Sequence, residues 1–252
     1  MNYLIAIPSF NRYDTIKKKT LKMLIQNNIP TNIITIFVAT SEQKLLYENE
    51  LSNDYKIVVG LLGMSNIRNF ITDYYEEGQH LLFIDDDITS IKLGDVSGKL
   101  VTKINNLNEI IINGFNLCKE NDTALWGLHP CNDCRNLKSK NIITTDLKYI
   151  IGALYGVIND KSIMVTIPCA EDFQRSILYY KKYGKIVRIN NMSAFTTYYA
   201  TGGMASNGRT KELDIIEKTK LCELYPEYCK IYKTNYDTTN IKLKSVKIDL
   251  KK

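Results

Sequence analysis

Along the first third of the chain, short apolar runs alternate with longer stretches in which apolar residues recur at helical spacing. Residues 2–7 read as a strand ended by Pro8, and Asp14 or Thr15 can cap a helix running to about Asn27. Residues 33–39 read as a second strand rich in β-branched side chains, and Ser41 caps a second helix. Residues 56–59 give a third strand, Gly60-Leu61-Leu62-Gly63 a turn, and residues 65–77 a third helix stopped by Gly78. The run His80-Leu81-Leu82-Phe83-Ile84 is the next strand. This alternation predicts an α/β fold with a mostly parallel sheet and right-handed crossovers.

The second half is less regular. Residues 106–119 read as a helix, 123–128 as a strand, and 149–158 as a strand in which Gly152 and Gly156 admit a close neighbour. Pro168-Cys169-Ala170-Glu171-Asp172 opens a helix to about Tyr183, and residues 185–189 and 193–199 read as further strands. Residues 201–209 form a glycine-bearing loop, and a helix from about Lys211 ends before Pro226. In residues 241–250 apolar positions alternate mostly with lysine, the pattern of an edge strand guarded against aggregation; the alternative is a strip that touches a phosphate backbone. No internal repeat or low-complexity linker divides the chain. Residues 1–252 therefore read as one domain, with a nucleotide-type half over about 1–100 and an acceptor-type half over about 101–252.

The strand 80–84 runs straight into Asp85-Asp86-Asp87. The carboxylates would stand at the carboxyl edge of the sheet, where open α/β folds bind ligands. Strand alternation would put Asp85 and Asp87 on one side and Asp86 on the other. Three such charges repel unless something positive joins them, and a hard cation such as Mg²⁺ or Mn²⁺ carrying phosphates suits them; the plainer reading is a solvated acidic turn. Two further loops reach the same edge. Pro8-Ser9-Phe10-Asn11-Arg12 suits a base and phosphate, and Gly63-Met64-Ser65-Asn66-Ile67-Arg68 brings helix amides and an arginine toward an anion. Neither G-x-G-x-x-G nor G-x-x-x-x-G-K-[ST] occurs, so the dinucleotide and P-loop readings lose their main support. Glu171 and Asp172 are candidates for a general base acting on an acceptor hydroxyl.

Net charge of +6 suits a polyanionic partner or a phosphate-bearing substrate. The six cysteines, with no signal segment and no apolar run of membrane length, predict free thiols in a reducing, cytoplasmic setting without membrane attachment. Pro130-Cys131-Asn132-Asp133-Cys134 matches half of a zinc deaminase signature, but the H-x-E half is missing. A structural zinc on His129, Cys131, Cys134 and a distant cysteine remains an alternative to a loop of reduced cysteines. Trp126 and His129 could flank an acceptor ring.

In order, I-P-S-F-N-R, G-x-S-x-x-R-N, F-I-D-D-D and A-E-D resemble the motifs of a GT-A nucleotide-sugar glycosyltransferase. With Trp126-Gly127-Leu128-His129-Pro130 and the Gly202-Gly203 loop with Arg209, the chain is similar to the TET/JBP-associated glycosyltransferases of phages and other viruses, which decorate hydroxymethylated pyrimidines in DNA. The resemblance spans about residues 3–210. It implies that Pro8, Ser9 and Arg12 line a uridine pocket, with Ser65 and Arg68 at the nucleotide or diphosphate. Asp85 and Asp86 would face the donor, and Asp87, with Asp85, would hold Mn²⁺ or Mg²⁺. Asp172, or Glu171 in its place, would be the base of an inverting transfer from a UDP-sugar, and Trp126, His129, Gly202, Gly203 and Arg209 would meet the acceptor. The late histidine that often joins the metal in such enzymes is missing here, since none follows His129.

Two rival readings stay open at this point. Asp85-Asp86-Asp87-Ile88-Thr89 fits the D-x-D-x-[TV] pattern of haloacid-dehalogenase-type phosphatases, with Asp85 as nucleophile and Asp87 as acid, but three β/α units precede it. The other is a non-catalytic DNA- or nucleotide-binding module whose carboxylates are structural.

Overall fold

The computed structural model describes residues 2–94, 100–101, 104, 106–131, 137, 141–196, 210–233 and 239–246. Its centre is an eight-stranded sheet. In chain order the strands that build it are β1 (Leu4–Pro8), β2 (Ile34–Val38), β3 (Lys56–Val59), β4 (His80–Ile84), β7 (Leu125–Leu128), β8 (Ile143–Thr144), β9 (Leu154–Ile158) and β10 (Val187–Ile189). Their spatial order is β3-β2-β1-β4-β9-β7-β10-β8. β3, β2, β1 and β4 pair in parallel, as do β7 and β10, while β9 runs antiparallel between β4 and β7. The expected α/β class with a mostly parallel sheet is therefore the one observed.

Both faces of the sheet are covered, which is why the early strands read as continuous apolar runs. Along β4, Leu82 and Ile84 enter one core with Ile16, Leu24, Tyr47 and Phe115, while Leu81 and Phe83 enter the other with Ile67, Ile71 and Ile177. The first core lies under the helical stretch Tyr13–Ile16, Lys17–Leu21 and Lys22–Gln26, and under the helices Ser41–Glu50 and Leu107–Glu120. The second lies under Met64–Tyr74 and Glu171–Tyr183.

Two smaller sheets complete the described chain. β5 (Ser90–Gly94), β6 (Leu100–Val101) and β11 (Met192–Phe195) form one, and the hairpin β12 (Cys229–Lys233) with β13 (Thr239–Leu243) the other; the helix Lys211–Leu224 precedes the hairpin. β5 and β12 were not expected from the sequence. The alternating tail contributes β13 to that hairpin, and its last residues, 247–252, lie outside the described residues.

One departure matters for the site. Residues 149–158 were expected to be one strand, but only β9 is extended in the sheet. In residues 149–153 the backbone is served by side chains. Ile150 N–H donates to Ser176 Oγ at 3.1 Å, and Ile150 C=O accepts from Arg175 at 3.4 Å. Gly152 N–H donates to Asp172 at 3.3 Å, and Gly152 C=O accepts from Arg68 at 3.1 Å. Polar groups satisfied in this way have no need of a neighbouring strand. Because β9 is antiparallel to β4, this loop arrives at the same edge as the Asp triplet, and Asp85 N–H donates to Ala153 C=O at 2.9 Å.

Candidate active site

The carboxyl ends of β1 and β4 lie side by side, so the loops that follow them meet. Asp85, Asp86 and Asp87 stand just past the end of β4, and they do not sort by strand alternation. Asp85 turns to Arg68 at 2.7 Å, whereas Asp86 and Asp87 share Arg12, each at 3.0 Å. The turn is fixed by buried Thr20, whose hydroxyl donates to Asp85 C=O at 2.7 Å and accepts from Ile88 N–H at 2.9 Å. Thr20 sits in the π-helical turn Lys17–Leu21, a local widening of the kind often found at functional sites.

Arg12 is placed from two sides. The first helix begins at Tyr13 with Arg12 as its cap, two or three residues ahead of the expected Asp14 or Thr15, and Arg12 N–H donates to Tyr47 Oη at 2.9 Å. Tyr47 is hydrogen-bonded to Ser9 at 2.7 Å, and Ser9 Oγ donates to Asp86 at 2.6 Å. Burial pushes Asp86 up, to about 7, against the pull of Arg12 and Ser9. Pro8 ends β1 in register with Phe37, and Ser9 N–H still donates to Phe37 C=O at 2.9 Å. Tyr47 was missed in the sequence. Its only signal there is its place four residues after Gln43 on the inner face of the Ser41–Glu50 helix, where both are buried.

Arg68 differs from its expected place at a nucleotide or diphosphate. It is 3% exposed, on the inward face of Met64–Tyr74 with Ser65, Ile67 and Ile71. Gly63 starts this helix with φ at +97°, a conformation that favours glycine. The Arg68 guanidinium spends Nη2 on Asp85 and on Gly152 C=O, and it lies 5.6 Å from the Phe83 ring centroid and 5.5 Å from that of Tyr155. Burial acts against its charge, but Tyr155, Asp85 and Glu171 outweigh that and hold it protonated. Arg68→Met is expected to lower stability by about 2 kcal/mol. Breaking a buried pair costs about 3–5 kcal/mol, and Asp85, 32% exposed at its side chain, lets water take up part of the charge. A thermal scan should show a fall of about 5 °C.

On the far side of Gly152 lie the two acidic residues of the Glu171–Tyr183 helix. Asp172 Oδ2 accepts from Tyr149 Oη at 2.5 Å and from Gly152 N–H at 3.3 Å, and Asp172 Oδ1 accepts from Phe173 N–H at 2.9 Å. Glu171 is buried beside Gly152: a Cβ built there would stand 3.2 Å from Glu171 Oε1 and 3.6 Å from Arg68 Nη2. One residue, Gly152, thus touches both halves of the site, its C=O on the arginine of Asp85 and its N–H on Asp172.

Glu171 is pushed up to about 7, first by burial and then by Asp172, against the pull of Arg175 and Arg68. Folding raises this acid above its ordinary value of 4.5, so between about 4.5 and 7 the native state keeps a proton that the unfolded chain has released. Its contribution therefore falls as pH rises through that window and stays unfavourable above it. Glu171→Gln should be more stable than the parent at pH 8, by at least about 1 kcal/mol, with the gain gone below about pH 4.5. Urea unfolding at the two pH values measures this.

The chemistry of the donors fits a hard divalent cation. Asp85 and Asp87 carry carboxylate oxygens on side chains 32% and 15% exposed, and the hydrogen bonds to Arg68 and Arg12 use Asp85 Oδ1 and Asp87 Oδ2. Among the described residues no group of three or more His, Cys, Asp or Glu converges on a metal position. His129 is half-buried, with Nδ1 accepting from Cys131 N–H at 3.1 Å; Cys134 lies outside the described residues.

Trp126 corrects another expectation. It is wholly buried, edge-on to Phe115, and offers no face to an acceptor. Its indole fills space left by two glycines: a Cβ on Gly156 would come within 2.0 Å of Trp126 and one on Gly114 within 2.3 Å. Gly202, Gly203 and Arg209 lie outside the described residues.

The chain superposes on the crystal structure of S. aureus TarS 1–349 with a TM-score of 0.52 at 15% identity, covering 89% of this chain and 72% of that one. A mycobacterial protein matches with a TM-score of 0.53 at 9% identity, covering 99% and 85%. The fold is of the GT-A type. Identities this low speak for the architecture alone. No family model and no curated protein sequence matches the chain. In this GT-A fold the Asp triplet, Arg12, Arg68 and the Glu171-Asp172 pair gather at one edge of the sheet. No helix among the described residues is long and apolar enough to cross a membrane.

Proposed function

We propose that the protein is a glycosyltransferase that moves a sugar from a UDP-sugar to a hydroxyl acceptor, with inversion, and that the acceptor is a hydroxymethylpyrimidine in DNA. The observation that carries the reading is the two-sided edge. Carboxylates for a charged donor stand at the end of β4, a candidate base stands at the start of the Glu171–Tyr183 helix, and Gly152 hydrogen-bonds toward both. The motif order and the GT-A architecture support the donor; net charge of +6 and the motif resemblance to DNA-modifying glycosyltransferases support the acceptor.

In the transfer, the acceptor oxygen forms a bond to the anomeric carbon as the bond from that carbon to the diphosphate oxygen breaks. The acceptor's proton passes to Asp172. Asp87 and Asp85 would hold a divalent cation, which when bound neutralises charge on the leaving diphosphate. Arg12 and Arg68 fix these carboxylates, Arg68 from within the protein. In duplex DNA the target base must be flipped out or otherwise exposed. Ion pairing of Asp85 with buried Arg68 disfavours the phosphatase reading, because it takes an oxygen from the nucleophile that chemistry needs.

The test is a panel of nucleotide sugars incubated with the protein, Mn²⁺ and hydroxymethylated DNA, with release of free nucleotide as the readout. UDP released from one UDP-sugar supports the proposal. Phosphate released from a phosphomonoester, with every nucleotide sugar left intact, contradicts it.

A further inference from the structure

Tyr149 lies in the loop before β9 and carries no motif, yet it is held at both ends. Its hydroxyl donates to Asp172 Oδ2 at 2.5 Å, and its ring stacks on Phe173 with centroids 4.0 Å apart and planes 11° apart. Gly152 N–H fills a second position on the same oxygen, while among the described residues Asp172 Oδ1 takes Phe173 N–H alone. A carboxylate oxygen accepts about two hydrogen bonds, so Oδ2 is filled and Oδ1 has room for one more. The charged groups around the pair are Glu171 and Arg175 of the same helix, Arg68 from Met64–Tyr74 and Asp85 past the end of β4. Burial, then the charge of Asp172, pushes the Tyr149 phenol well above its ordinary value, so it stays a donor across the working range.

Resting on the glycosyl-transfer reading, we infer that Tyr149 is a positioning residue for the transfer step. Its phenol locks the Asp172 carboxylate so that Oδ1 receives the proton of the acceptor hydroxyl. Freed of this bond, the carboxylate can rotate and present an oxygen in poor alignment, and small misplacements of a reacting group cost up to about 100-fold in rate.

Tyr149→Phe keeps the stacked ring and removes the hydroxyl. Transfer kcat should fall about tenfold or more while KM for the donor stays within about twofold. Phe173→Leu breaks the stack and keeps the hydroxyl, so kcat should fall less. A merely structural Tyr149 would instead show a lower melting temperature in both variants, with kcat lost equally in the two, and that overturns the inference. A parent enzyme that transfers sugar, matched by Tyr149→Phe in kcat, also overturns it while leaving the glycosyl-transfer reading standing. A parent that consumes no nucleotide sugar removes both.

Discussion

Asp87→Ala should lower sugar transfer about 1000-fold and leave the fold nearly untouched. Removing a single group that stabilises developing charge costs about 10²–10³-fold in turnover, and the proposed transfer assigns that role to Asp87. Asp85 is tied to a buried arginine, and Asp86 is itself buried under Ser9 and Arg12. Among the described residues Asp87 pairs with Arg12 alone, at 3.0 Å, and Arg12 also pairs with Asp86 at that distance. Because Asp86 still pairs with Arg12, the loss should stay at about 1 kcal/mol. The thermal midpoint should therefore move by no more than about 3 °C. Loss of transfer with an unchanged midpoint separates a chemical role from a structural one. A variant that retains a tenth of parental activity would place the donor's charge elsewhere.

Asp172→Asn is the second large effect. The side chain keeps its size and the amide oxygen can still accept from Tyr149 and Gly152, while the amide NH2 replaces the oxygen that Phe173 N–H donates to, so one local hydrogen bond is lost. The side chain's capacity to take a proton is lost. General base catalysis by a positioned side chain contributes about 10²–10⁴-fold, and transfer should fall by that amount with donor KM within about threefold. Steady-state kinetics with acceptor saturating and donor varied reads both numbers. Should Asp172→Asn stay active while Glu171→Gln loses transfer, the proton goes to Glu171. That residue is buried one position away, with its acid pushed up to about 7.

The parts of this site that could be read from sequence are those set by local pattern. β1 to β4 announce themselves because both faces of a parallel sheet are buried and each strand ends in a turn signal. Once β4 was placed, Asp85-Asp86-Asp87 had to lie at the carboxyl edge. Arg12 and the Glu171-Asp172 pair followed from loop and helix starts. Partners distant along the chain were hidden. Arg68 reads as an arginine reaching for an anion at a helix start until Asp85, Phe83 and Tyr155 are seen around it. Trp126 reads as an acceptor platform until Gly114 and Gly156 are seen to make room for it in the core. Residues 149–153 have the composition of a strand, and only the side chains of Arg68, Asp172, Arg175 and Ser176 turn them into a loop. Thr20 and Tyr47 act across 65 and 38 residues of sequence, to Asp85 and Ser9, distances over which no local pattern carries information.

The most direct test of the central claim is to incubate the protein, Mn²⁺ and the active UDP-sugar with two DNA duplexes, one hydroxymethylated at its pyrimidines and one plain, and to digest both to nucleosides for mass analysis. Transfer to a hydroxymethylpyrimidine predicts a new nucleoside heavier by one glycosyl residue in the modified duplex alone, formed in step with UDP release. UDP release with no new nucleoside in either duplex would contradict a DNA acceptor, and intact donor with every nucleotide sugar would contradict glycosyl transfer itself.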